Sequence, residues 1–153
     1  MRTLIVGLGN PIVGDDGVGI HVVRKLKEKF SSLANLETKE LSVGGIRLVE
    51  EILGYDRVII VDAYAPLSPE IGRIRIFKPE HFEDTQRVAY PHGLNLATAL
   101  QLYRKLEPQR VPKQIKIFTI DIKTQWEFSE HMSPTVAKSA ESLTALIARE
   151  LGT

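Results

Sequence analysis

The chain has 153 residues, 43% of them hydrophobic and 25% charged, with 20 Lys and Arg against 19 Asp and Glu. That length and composition suit a single soluble domain, residues 1–153, with a real core. A net charge of +1 gives no general attraction to nucleic acid or to a membrane surface.

There is no cysteine, which excludes disulfides, thiolate metal sites and cysteine nucleophiles. No apolar stretch is long enough to span a bilayer, and the first residues carry no signal-peptide pattern, so the expected location is the cytoplasm.

The chain opens on an apolar run, Leu4-Ile5-Val6, followed by Gly7-Leu8-Gly9-Asn10-Pro11 and then Gly14-Asp15-Asp16-Gly17. Val18, Val22, Val23, Leu26 and Phe30 follow at helical spacing, which predicts a strand, a glycine-rich turn and a helix over about residues 17–30. Residues 36–43 alternate loosely as a second strand. Gly44-Gly45 breaks it, and Ile46, Leu48, Val49, Ile52 and Leu53 make a second helix that stops at Gly54. Val58-Ile59-Ile60-Val61, ending in Asp62, reads as a strand buried on both faces. Residues 71–77 set Ile74 and Ile76 against Arg73 and Arg75, the pattern of a half-wet antiparallel edge strand.

Residues 78–91 are polar and irregular, with His81, Glu83, Asp84 and Tyr90, and suggest a mobile or binding loop. His92-Gly93 opens a helix to about Leu106, carrying Leu96, Leu100 and Tyr103 on one face. Residues 115–122 form another strand. A loop with Trp126, Phe128 and His131 follows. Ser133-Pro134 then starts the last helix as N-cap and first-turn proline. Strands alternating with helices predict a three-layer α/β/α sandwich with a mostly parallel twisted sheet and one antiparallel edge strand.

The carboxylates after the first strand have two readings. Both Asp15 and Asp16 can cap the helix that follows, or one caps while the other points into the crevice at the C-terminal edge of the sheet, where open α/β sheets bind ligands. Two acids repel a phosphate, and the spacing of Gly7, Gly9 and Gly14 misses the dinucleotide fingerprint, which argues against a nucleotide-binding module. Asp16 follows the first strand, Asp62 ends the third, and His92 begins a helix. If the first and third strands are neighbours, Asp16 and Asp62 share one crevice, which His92 can reach from the adjoining loop. Two carboxylates and an imidazole suit a divalent ion such as zinc or nickel. A cap, a strand-end turn residue and a surface histidine explain the same residues without a metal. No serine, threonine or lysine stands out as a nucleophile with its base.

Taken together, these motifs resemble the hydrogenase maturation endopeptidases, which trim the large subunit of nickel-iron hydrogenases. Carrying the resemblance are Gly7 to Pro11, Asp15-Asp16-Gly17-Val18-Gly19, Val58 to Ala63, His92 before an apolar helix, and the stretch from Phe128-Ser129-Glu130 to Ser133-Pro134-Thr135-Val136. The resemblance implies that Asp16, Asp62 and His92 are the catalytic, metal-contacting residues, and that Asn10 and Glu40 meet the substrate. Where the family's second strand ends in Asp, glycines and Thr, this chain has Glu40-Leu41-Ser42-Val43-Gly44-Gly45.

The implied reaction removes a C-terminal peptide from the large-subunit precursor. Nickel carried by that precursor would serve as a recognition element, or another divalent metal such as zinc would take its place. Such an ion orients the scissile bond, and can polarise its carbonyl or activate water. Neither a membrane nor a nucleic acid is expected as partner. A peptidyl-tRNA hydrolase shares the Gly-Leu-Gly-Asn-Pro turn but needs a Thr-Arg-His-Asn-like segment where this chain has Ile12-Val13-Gly14-Asp15-Asp16. A nickel-dependent chaperone that holds the precursor without cutting it is the remaining alternative.

Overall fold

The first strand, β1 (Thr3–Leu8), is buried along its whole length. An apolar run with no wet face needs neighbours on both sides and layers above and below. The computed structural model supplies both, and describes residues 1–82, 91–124 and 128–152. Glu83, Asp84, Tyr90 and Trp126 of the expected loops lie outside the described residues.

After β1 come α1 (Val18–Lys29), β2 (Leu36–Leu41), α2 (Gly45–Ile52), β3 (Arg57–Tyr64), β4 (Ile74–Phe77), α3 (Pro91–Leu106), β5 (Gln114–Asp121) and α4 (Pro134–Leu151). The five strands form one sheet in the order β2-β1-β3-β5-β4. All neighbours are parallel except β4, which runs antiparallel on β5 at the edge. One face packs Ile5, Ile59, Val61 and Phe118 against α1 and α4. The other packs Leu4, Val6, Ile60 and Ile117 against α2 and α3. This is the three-layer arrangement that the alternating pattern predicts. No helix among the described residues is long and apolar enough to cross a membrane.

Differences from expectation lie at element ends and have local causes. β2 stops at Leu41 because its partner β1 stops at Leu8, the register mate of Leu41. β4 begins only at Ile74, since residues 70–73 make a turn closed by the Arg73 N–H to Glu70 carbonyl bond of 2.9 Å. Between the first strand and α1 the chain makes a 3₁₀ turn, Gly14–Gly17, before the regular helix. A second 3₁₀ turn, Pro79–Phe82, occupies the start of the expected loop and buries Phe82.

Two glycines bring α1 down onto the sheet. At Gly19 a Cβ would sit 2.3 Å from the Val61 carbonyl oxygen, so any side chain there would push the first turn of α1 off β3. Gly9 has φ +130°, and a Cβ there would meet the Asp16 carbonyl at 2.2 Å. Left-handed backbone and close approach both require glycine. Together they seat the 3₁₀ turn over the ends of β1 and β3. The clash at Gly19 is with backbone, which cannot rotate away. Gly19→Ala is therefore expected to lower unfolding stability by about 1–3 kcal/mol or more, read as a lower urea midpoint. An unchanged midpoint would show that α1 does not depend on this contact.

Candidate active site

From β1 the chain crosses to β2 on one side of the sheet, then returns to β3 on the other side. Their connecting helices lie on opposite faces, which leaves a crevice outside the C-terminal ends of β1 and β3. Asp16 comes to it from the turn after β1. Asp62 comes from the end of β3. Alternation along β3 puts Asp62 on the face shared by Ile60 and Tyr64, under α2 and α3. His92, in the first turn of α3, meets it there.

Asp62 is 1% exposed, so its charge must be paired. Its Oδ1 accepts the Ala63 N–H at 2.8 Å. Its Oδ2 contacts Nδ1 of His92. That contact orients the imidazole. The ring is about half exposed. Gly93 next to it lies against Phe82, whose Cζ is 2.4 Å from where a Cβ would be, so the buried Phe82 ring seats the start of α3.

Asp16 is half-buried, and its Oδ2 accepts the Asn10 N–H at 2.9 Å. Burial pushes the Asp16 carboxyl above its ordinary value. The Asn10 N–H works against this, the Asp62 charge adds to it, and His92 opposes it. The Asp62 carboxylate raises His92 above its ordinary value of 6.5, against the pull of burial. Thus Asp16, Asp62 and His92 act on each other electrostatically, as their shared position at the strand ends requires.

The crevice has a volume of about 590 Å³ and is lined by Asn10, Asp16, His92 and Asn95 together with residues 42–45. A second cavity of about 420 Å³ opens near Arg57, Lys78, Lys113 and Lys116, by the N-terminal ends of β3 and β5, and holds none of the candidate residues. Asn10 reaches the crevice with its turn braced by its own Oδ1, which accepts the Ile12 N–H at 3.1 Å. Glu40 is placed elsewhere. It takes three hydrogen bonds of 2.8 to 3.2 Å from the Arg24 guanidinium of α1, and it does not line the crevice.

Asp15 does not cap α1, whose N-cap Gly17 has no side-chain cap. Its buried carboxylate instead accepts the Ser133 N–H at 2.7 Å and the Ser133 hydroxyl at 2.9 Å, at the start of α4. One acid therefore ties the turn to α4, and the other faces the crevice. Asn95 was not singled out by the sequence reading, although it stands one turn from His92 on the same helix face. Nor was Thr119, the register mate of Asp62 on β5, whose buried hydroxyl has no hydrogen-bond partner among the described residues.

Among the described residues, no group of three or more His, Cys, Asp or Glu side chains is arranged to hold a metal ion. Both oxygens of Asp62 accept or share a hydrogen bond, one with Ala63 and one with His92. Asp16 and His92 both line the crevice wall.

Residues 20–150 match the family model described as HycI, hydrogenase maturation protease. The chain belongs to the hydrogenase maturation protease family. It is 27% identical over 106 residues to the Hydrogenase 2 maturation protease of Escherichia coli, a match that covers 68% of this chain and 64% of that protein. A Methanocaldococcus jannaschii protein carrying the same family name is 33% identical over 144 residues, with 90% of this chain and 91% of that one covered. In fold, the chain is similar to the solved hydrogenase maturating endopeptidase HybD of E. coli, with a TM-score of 0.78, 23% identity, and 99% and 92% of the two chains covered. The family resemblance read from the motifs is thereby borne out, and with it the fold and assignment to a family of proteases.

The Asp62 contact has a measurable signature. In an NMR titration His92 is expected to titrate above 6.5. Asp62→Asn removes the charge that favours the imidazolium and leaves burial, which disfavours it, so the midpoint should fall. A midpoint that does not move would mean that Asp62 does not hold His92.

Proposed function

We propose that this chain is an endopeptidase that removes the C-terminal extension of a nickel-loaded [NiFe] hydrogenase large-subunit precursor in the cytoplasm. Family membership supports the reaction class. The observation that carries the reading to chemistry is the pairing of His92 with buried Asp62 beside Asp16, at the wall of one open crevice.

A complete ligand set would take a free ion from solution whether or not the precursor was ready. An incomplete one, Asp16 with His92, suits an ion that arrives already held by the precursor. Nickel is then part of the substrate. Asp62 orients His92, and Asp16 and His92 bind and orient the presented ion, which places the adjoining peptide bond. Orientation of this kind supplies several kcal/mol of barrier reduction. The elevated Asp16 pKa and its neighbour His92 also provide groups for moving a proton to or from the reacting peptide.

The test is to incubate the chain with nickel-loaded, zinc-loaded and metal-free precursor and weigh the products. A mass loss at the precursor C-terminus is expected with nickel. Asp16→Ala and His92→Ala are each expected to reduce that rate by about a hundredfold or more. Equal cleavage of metal-free precursor would reject nickel recognition. A stable complex with no cleavage would mean a chaperone.

A further inference from the structure

Buried polar groups in a folded chain are almost always hydrogen-bonded. The buried acids among the described residues obey this: Asp15 is held by Ser133, Asp62 by Ala63 and His92, and Asp121 by Arg75. Thr119 does not. It is 0% exposed, and its Oγ1 has no hydrogen-bond partner among the described residues. A valine would fill the same shape without leaving a hydroxyl unpaired, so the threonine lowers the stability of the fold it sits in.

Strand register fixes its neighbours. On β5, Thr119 stands opposite Asp62 of β3 and, on its other side, opposite Arg75 of β4. Register partners point to the same side of a sheet, and neighbouring strands are about 4.8 Å apart. Thr119 therefore stands between a carboxylate and a guanidinium, on the face that carries Ile60 and Ile117. A guanidinium has no acceptor, and Arg75 gives two bonds to Asp121. Of the two register partners, only Asp62 can accept a hydrogen bond from the Thr119 hydroxyl. A carboxylate accepts up to about four such bonds, so one from Thr119 can join those of Ala63 and His92. One step of χ1 carries a threonine hydroxyl from one staggered position to the next.

The need for this donor arises when the site is loaded. Asp62 is 1% exposed and shares its Oδ2 with His92. An imidazole that turns to meet an incoming substrate loosens that contact, and a carboxylate so deeply buried has no water to replace it. We infer, resting on the protease reading above, that Thr119 is a positioning residue: its hydroxyl turns onto Asp62 when the precursor engages His92, and keeps the carboxylate aligned through the reaction. The cost of an unpaired hydroxyl falls on the resting protein, and the gain comes during turnover.

The experiment measures kcat and KM on the nickel-loaded large-subunit precursor, and the urea midpoint of the free protein, for the wild type, Thr119→Val and Thr119→Ser. Thr119→Val should keep or raise the midpoint, because it removes an unpaired buried hydroxyl. Its kcat should fall about tenfold, with KM within about twofold of wild type. Thr119→Ser keeps the hydroxyl, so its kcat should stay within about threefold. A Thr119→Val enzyme with wild-type kcat overturns the inference and leaves the protease reading standing. So does a Thr119→Val chain with a lowered midpoint or one that fails to fold, since the hydroxyl would then be holding the resting structure. Equal losses of kcat in Thr119→Ser and Thr119→Val would assign the effect to packing and overturn it too. A wild type that leaves the precursor uncut overturns the protease reading as well.

Discussion

A carboxylate with 1% of its surface exposed cannot be left alone. An isolated buried charge costs far more than a single hydrogen bond returns, so Asp62 must find donors where β3 ends. It finds the next peptide N–H and the imidazole of His92. Much of the site follows from that demand. The first turn of α3 has to lie over the end of β3, and Phe82 packed on Gly93 keeps it there. Once Asp62 is committed to His92, Asp16 is the carboxylate that faces the crevice.

The same end of the sheet is where the fold joins its parts. Asp15 receives two hydrogen bonds from Ser133 at the start of α4, while Asp16 next to it receives one from Asn10. Further along, Arg75 of β4 binds the fully buried Asp121 of β5 with bonds of 2.7 and 2.9 Å and so anchors the antiparallel edge strand. Below this polar band the sheet is apolar on both faces. Stability comes from that apolar body, and the polar edge uses it as a rigid support. A site built on strand ends and a helix start holds geometry better than one built on loops alone.

Much of this was legible in the residues. Four branched apolar residues ending in Asp62 read as a doubly buried strand, and glycines around two acids mark a tight turn into a helix. The last-helix start at Ser133-Pro134 was equally plain. What could not be read was pairing across long separations. Asp15 meets Ser133 at a distance of 118 positions, and Glu40 meets Arg24 across a sheet edge; nothing in the local pattern of either acid names its partner. Glu40 sits two residues nearer the start of its strand than the crevice wall that begins at Ser42. Strand alternation turns it toward α1. Asn95 was hidden for another reason: one among several polar residues of an amphipathic helix, with Thr98, Gln101, Arg104 and Lys105, it looks like ordinary surface until the helix is placed.

If Asp16 and His92 complete the ligand set of a nickel ion presented by the precursor, the metal itself should report it. The direct measurement is X-ray absorption at nickel in the loaded precursor, frozen rapidly before and after mixing with the enzyme. Mixing with wild type should add nitrogen and oxygen neighbours, and mixing with His92→Ala should add no nitrogen. A spectrum that stays the same on mixing with active wild type would contradict the assignment of these two side chains to the metal.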